Sequence, residues 1–219
     1  MLMLARTSLL RILPTDKAII FLGSNAAAVS SNTISMSLSS FGLLEGDMII
    51  AWLATNTPQL PTSPGYTAIT AGGSRAGVYF KTVGSTPDSS LAWSPIPSSI
   101  GAVGGALGFR NAVPATQGSP GVVEATGSSA NPDPPGIAPN FDGSAIVIVA
   151  GTDGLQGGPV APTNYTLAGN TTSNLSNDAS GFAAYRLGLA KDVTENPGAF
   201  TNVSTSSWRA VTVAIAPAT

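Results

Sequence analysis

The chain has 219 residues, only 9% of them charged, with a formal net charge of −2. So weak a field does not attract a phosphate backbone, which argues against nucleic acid as a partner. Cysteine and histidine are both absent, which removes disulfides, thiolate and imidazole metal sites, Ser-His and Cys-His catalysis and any histidine switch.

Residues 1–17, MLMLARTSLLRILPTDK, differ in character from everything after them. Leu2, Leu4, Leu9, Leu10, Ile12 and Leu13 line part of a helical pattern that Pro14 would end. Arg6 and Arg11 interrupt the apolar run, so it is not read as a secretory signal. The expectation is an anchoring arm whose six apolar residues bind a partner chain or fold back on their own domain. No apolar stretch approaches the ~20 residues that cross a bilayer, so no membrane partner is expected.

From Ala18 the pattern becomes β. Short runs at 18–23 and 33–38 are followed by the turn FGLLEGD (41–47) and MIIAWLA (48–54). The second run alternates Ile34, Met36 and Leu38 with serines, as a half-buried strand does. The third is apolar on both faces, the mark of a central strand or of one whose outer face is covered. Three prolines bar 57–65 from a ladder. Strands are predicted next at 66–71, 75–83, 90–95 and 101–110, with a further one at 122–127.

The order then repeats. SAIVIVAGT (144–152) answers MIIAWLA, NYTLAG (164–169) answers GYTAIT, and ASGFAAYRLGLA (179–190) answers SRAGVYFKTV, setting Tyr185 and Arg186 against Phe80 and Lys81. GAFTNV (198–203) answers SLAWSP, and SSWRAVTVAIAPA (206–218) answers IGAVGGALGFR. The predicted fold is all-β, an antiparallel, jelly-roll-like β-sandwich built from two similar units behind a short N-terminal arm. Its divisions are the arm (1–17), a first unit (18–113), a Pro-rich crossover (114–140) and a second unit (141–219), with 18–219 able to form one sandwich of roughly a dozen strands.

No reaction is legible. Glu45, Asp47, Asp142 and Glu195 are the acids a glycan-cleaving couple would need, yet Asp and Glu in tight turns ordinarily hydrogen-bond nearby N–H groups. Asp133, Asp153, Asp178 and Asp192, with Asn174 and Asn177, lie in predicted loops without calcium-loop spacing. Trp52, Trp93 and Trp208, with Tyr66, Tyr79, Tyr165 and Tyr185, could stack on sugars, but large aromatics in strands are more often core. GAVGGALG (101–108) lacks the GK[ST] ending of a phosphate loop and reads as small residues that permit close approach. No catalytic residue, cofactor or metal is expected.

GDMIIAWLATN (46–56), Pro-Gly-Tyr-Thr (64–67), VYFK (78–81), LAWS (91–94) and GGALGFRNA (104–112) together resemble the first half of a β-sandwich family common in tailed-phage genomes. DGSAIVIVAGTDG (142–154), PTNYT (162–166), AAYRL (183–187) and SWRAVTVAIAPA (207–218) are similar to its second half. The family's usual aromatic after Pro-Gly is Trp, where this chain has Tyr66. The resemblance implies a non-enzymatic virion component, exposed on a tail, fibre or capsid and assembled with other virion chains as a homo-oligomer. The alternative it leaves open is a receptor- or glycan-binding module of a tail fibre or tip, with host surface glycan as partner and loops 153–164 and 170–180 as the place to look.

Overall fold

The computed structural model describes residues 17–29, 32–57, 65–70, 75–113, 121–154, 156–173 and 178–218. Thirteen strands run through them: β1 (Ile20–Ala28), β2 (Ile34–Ser37), β3 (Met48–Thr55), β4 (Thr67–Ala68), β5 (Ala76–Thr82), β6 (Ser90–Trp93), β7 (Ala102–Arg110), β8 (Ala112–Val113), β9 (Val122–Ser129), β10 (Ser144–Asp153), β11 (Thr166–Thr172), β12 (Ala179–Leu189) and β13 (Ser206–Pro217). The one helical element among the described residues is a 3-10 turn at Ser39–Phe41.

All pairing between these strands is antiparallel. One sheet has the order β1-β7-β3-β5-β4; the other runs β11-β12-β10-β13, with β8 and β9 both on the far side of β13. Read from the opposite edge, the second sheet is β9-β13-β10-β12-β11, the first sheet's order one unit later. The two sheets lie face to face, β3 against β10, β7 against β12, β5 against β13 and β1 against β11. The jelly-roll-like detail goes unconfirmed by this order.

Every residue of β3 is buried, and so is every residue of β10 except Asp153. The reason is that each central strand is covered twice. Met48, Ile50, Trp52 and Ala54 face Ala145, Val147 and Val149 in the core between the sheets. Behind the first sheet, Ile49, Ala51 and Leu53 meet Ile34, Met36 and Leu38, carried by the β2-β6 ribbon and its flanks, and Trp93. Behind the second, Ile146, Ile148 and Ala150 meet Ile137 from the Pro-rich stretch, Phe200 and Val203. An apolar run without alternation is what burial on both faces selects.

Two expected strands are corrected. Residues 198–203 make only an isolated bridge, Thr201 to Val160; the segment plugs the outer face, Phe200 packing edge-on against Phe182 at 4.9 Å. The strand expected at 66–71 is reduced to Thr67–Ala68, where Ile69 and Thr70 both direct their N–H groups at the Val78 carbonyl. β1 reaches five residues further than its apolar run, through Ser24 to Ala28. Small residues suffice there because β7 opposite them offers Gly104 and Gly105.

At the end where β3 and β10 finish, the sheets close together. A Cβ on Gly151 would lie 2.5 Å from the Arg75 carbonyl oxygen and 2.8 Å from the Ala54 methyl. Arg75 and Asp153 bridge the two units there at 3.1 Å. The opposite end is filled by large rings, Phe21 stacked on Tyr185 at 4.1 Å and Phe109 edge-on to it.

Candidate functional site

The duplicated unit brings with it a duplicated polar cluster. In the first unit Tyr66 lies under Lys81, whose Nζ stands 5.6 Å from the ring centre and donates to Asp88 Oδ1 at 2.7 Å. In the second, Arg186 Nη1 donates to Glu195 Oε1 at 2.5 Å, and Tyr165 is buried beside that carboxylate without a hydrogen bond of normal geometry. Strand register makes Lys81 and Arg186 equivalent: Phe80 pairs with Ile50, and Tyr185 with Val147 at the corresponding place in β10. The sequence shows the Tyr-Thr and the cation in both copies. It does not show Asp88, because the acid follows the cation at seven residues in one copy and nine in the other.

Burial first, and then the Asp88 charge, raise the Tyr66 phenol well above its ordinary value. Burial first and then Glu195 do the same to Tyr165, with Arg186 partly opposing. Burial alone pushes Tyr79 up to about 12. A phenol so held stays protonated at neutral pH and keeps its O–H as a donor, while each carboxylate is tied to a cation. The clusters are struts that fasten the segment after the Pro-rich loop to its strand.

These phenols predict an alkaline limit. Each folded pKa stands above the unfolded value near 10, so the folded state holds its proton more tightly. Their contribution is complete below pH ~10 and falls as pH rises from there toward the folded values. Urea midpoints should be level from pH 7 to 9 and drop above 10, with phenolate absorbance from these three tyrosines appearing together with unfolding. Phenolate absorbance from these three tyrosines in a still-folded protein at pH 10, read in a Tyr185→Phe background, would contradict the assignment.

The second candidate lies at the end where β1 begins. Leu44, Glu45, Gly46, Asp47, Arg110, Asn111, Ala112 and Ala218 line an open hollow of about 260 Å3. Asp47 is 3% exposed and accepts from the Leu44 N–H at 2.8 Å, Arg110 Nε at 2.9 Å and Arg110 Nη2 at 2.8 Å. Arg110 also donates to the Gly42 carbonyl at 2.9 Å, so one guanidinium clamps the turn on which β3 begins. Asn111 donates to the Ala18 carbonyl and accepts from the Ala218 N–H, bringing the first and last stretches of the described residues together beside the hollow. Leu44, Ile20 and Phe141 are exposed around this end. The arm residues Leu2, Leu4, Leu9, Leu10, Ile12 and Leu13 lie outside the described residues, as do Asn174 and Asn177.

Glu45 shares the hollow with Asp47, but Asp47, Asp142 and Glu195 are each held by different partners. Asp47 belongs to Arg110, Asp142 accepts the Lys191 N–H at 2.9 Å, and Glu195 belongs to Arg186. Among the described residues no group of three or more acidic side chains is placed to hold a metal ion. The tryptophans are core: Trp52 and Trp93 are fully buried, and Trp208 donates to Ser129 Oγ at 3.1 Å. The glycines of 101–108 receive rings, since a Cβ at Gly104 would lie 2.7 Å from Trp93 and one at Gly108 2.9 Å from Phe41. In the loop after β10, Gln156 is buried and ties three elements together, its N–H donating to Ser180, its amide nitrogen to Ser206 and its amide oxygen accepting from the Ser204 N–H. No periodicity marks it. Comparison with protein-family models, with curated proteins and with solved structures returns no match.

Proposed function

We propose that the chain is a non-enzymatic structural component of a bacteriophage virion, exposed on the particle in several copies, associated with a tail or fibre or decorating the capsid, and anchored through its N-terminal arm. One observation carries the reading. Leu44 stands exposed in the lining of the hollow and Ile20 stands exposed at the start of β1, an apolar surface at the place where the described body begins. Contacts there come from shape and apolar burial, because few charges are available, and many copies on one particle add avidity to each weak contact. The motif resemblance supplies the particle, and the ion-paired Asp47, Asp88 and Glu195 read as structural carboxylates.

The test deletes residues 2–16 and follows incorporation into particles. The truncated chain should fold with an unchanged melting curve and be lost from purified particles. Incorporation at the wild-type level would overturn the anchoring role. Selective binding on a glycan array, with incorporation unaffected, would establish the receptor-binding alternative in its place.

A further inference from the structure

The turns that lead into the two central strands are built alike. Leu44-Glu45-Gly46 precedes β3 and Phe141-Asp142-Gly143 precedes β10, at positions that the strand pairing makes equivalent. Each glycine takes a positive φ, 86° at Gly46 and 75° at Gly143, and each turn holds its apolar side chain and its acid out to solvent. Both turns lie at one end of the sandwich. A Cβ on Gly143 would stand 4.0 Å from Pro217, whose neighbour Ala218 lines the hollow together with Leu44 and Glu45. An exposed apolar side chain beside an acid, shown twice at one end, suits an apolar segment that carries cations.

The body has no such cation to spare. Among the described residues Arg75, Lys81, Arg110, Arg186, Lys191 and Arg209 each pair with an acid, and Glu45 and Asp142 enter none of these pairs. Asp142 takes the backbone N–H of Lys191, whose ammonium turns instead to Asp192. The chain's other cations are Arg6, Arg11 and Lys17. Arg6 stands two residues after Leu4, and Arg11 stands between Leu10 and Ile12, so the arm carries twice the complement of what the turns show twice. It also joins the body at the right place, because Asn111, in the lining of the hollow, holds the Ala18 carbonyl. With residues 14–17 as a tether, residues 1–13 are present at the hollow at an effective concentration on the order of millimolar. A weak contact is enough to keep them there.

We infer that the two turns are a docking surface for this chain's own arm, Leu44 and Phe141 meeting its leucines and Glu45 and Asp142 meeting Arg6 and Arg11. The free chain thereby covers the segment that anchors it, and attachment to a particle displaces the arm from its own body. That consequence rests on the reading of the arm as the anchor; the contact itself concerns only the free chain. A contact of this size opens locally well before the body melts, so it leaves the melting midpoint where it is.

The experiment is limited digestion of the purified full chain with trypsin, read by intact mass. Cleavage after Arg6 and Arg11 follows the fraction of arm that is off the surface. Glu45→Gln combined with Asp142→Asn should speed that cleavage roughly tenfold, and added salt should do the same to wild type. Leu44→Ser, at an exposed side chain, should also speed it and serves should the double variant fail to fold. Asp178→Asn, at the opposite end where the Asp178 carbonyl accepts from Gly154, should leave it unchanged. Wild type cut as fast as the variants overturns the inference, and so does protection that grows with chain concentration, which would put the arm on another copy. An arm cut freely yet needed for incorporation sinks the docking alone; an arm protected yet dispensable sinks the anchor alone.

Discussion

Gly105→Val leaves no folded protein, and Gly105→Ala lowers stability by about 3 kcal/mol. Gly105 is the direct cross-strand partner of Trp52, and the indole lies flat enough over it that a Cβ would stand 2.4 Å from ring atoms. A ring pressed from below could normally rise. This one cannot, because a Cβ on Gly181 of the facing sheet would already stand 2.5 Å from the same ring, and one on Gly169 3.0 Å. The indole fills the whole gap between sheets. Gly181→Ala should therefore cost as much as Gly105→Ala. Gly84→Ala, at a glycine with nothing within 4 Å of the added methyl, should stay within about 0.5 kcal/mol of wild type. Denaturant titration checks all three. A double variant with Trp52→Leu should recover part of the Gly105→Ala loss, because the two changes share one space. Additive losses would show that ring and glycine do not compete.

Arg110→Met should lower stability well beyond an ordinary surface change, although about a third of the Arg110 side chain is exposed. The loss falls on its partner. Asp47 stays buried with the Leu44 N–H still donating to it but its cation gone, and an unpaired buried carboxylate is expensive. Adding Asp47→Asn to Arg110→Met should restore part of the stability by removing that charge. Urea midpoints of the two variants decide it, and equal losses in both would mean that the stranded Asp47 charge is not the source of the loss.

Much of the architecture was legible because it rests on local patterns. MIIAWLA and SAIVIVAGT announce central strands, since burial on both faces removes alternation, and the repeated Tyr-Thr and cation put the second unit in register with the first. Other features depend on distant residues. Asp47 lies 63 residues from Arg110, and nothing in FGLLEGD foretells which cation will clamp it. Trp52 beside acidic turn residues has the look of a site until Gly181, far along the chain, proves to be its floor. GAFTNV has the composition of a strand, yet pairs only through the single Thr201–Val160 bridge and serves as a plug. β8 is too short to leave a pattern, and the Ser24–Ala28 part of β1 is too small-sided.

The placement of that indole has a consequence for the doubled plan. Strand pairing equates position 52 with 149, 105 with 211 and 181 with 76. The first set holds Trp, Gly and Gly; its counterpart holds Val, Val and Ala. Two identical chains facing one another would have to repeat the same side chain on both sides of the crossing, two indoles in collision or two valines over a void. A single chain that carries both units is free of that requirement, and sets bulk on one side against room on the other.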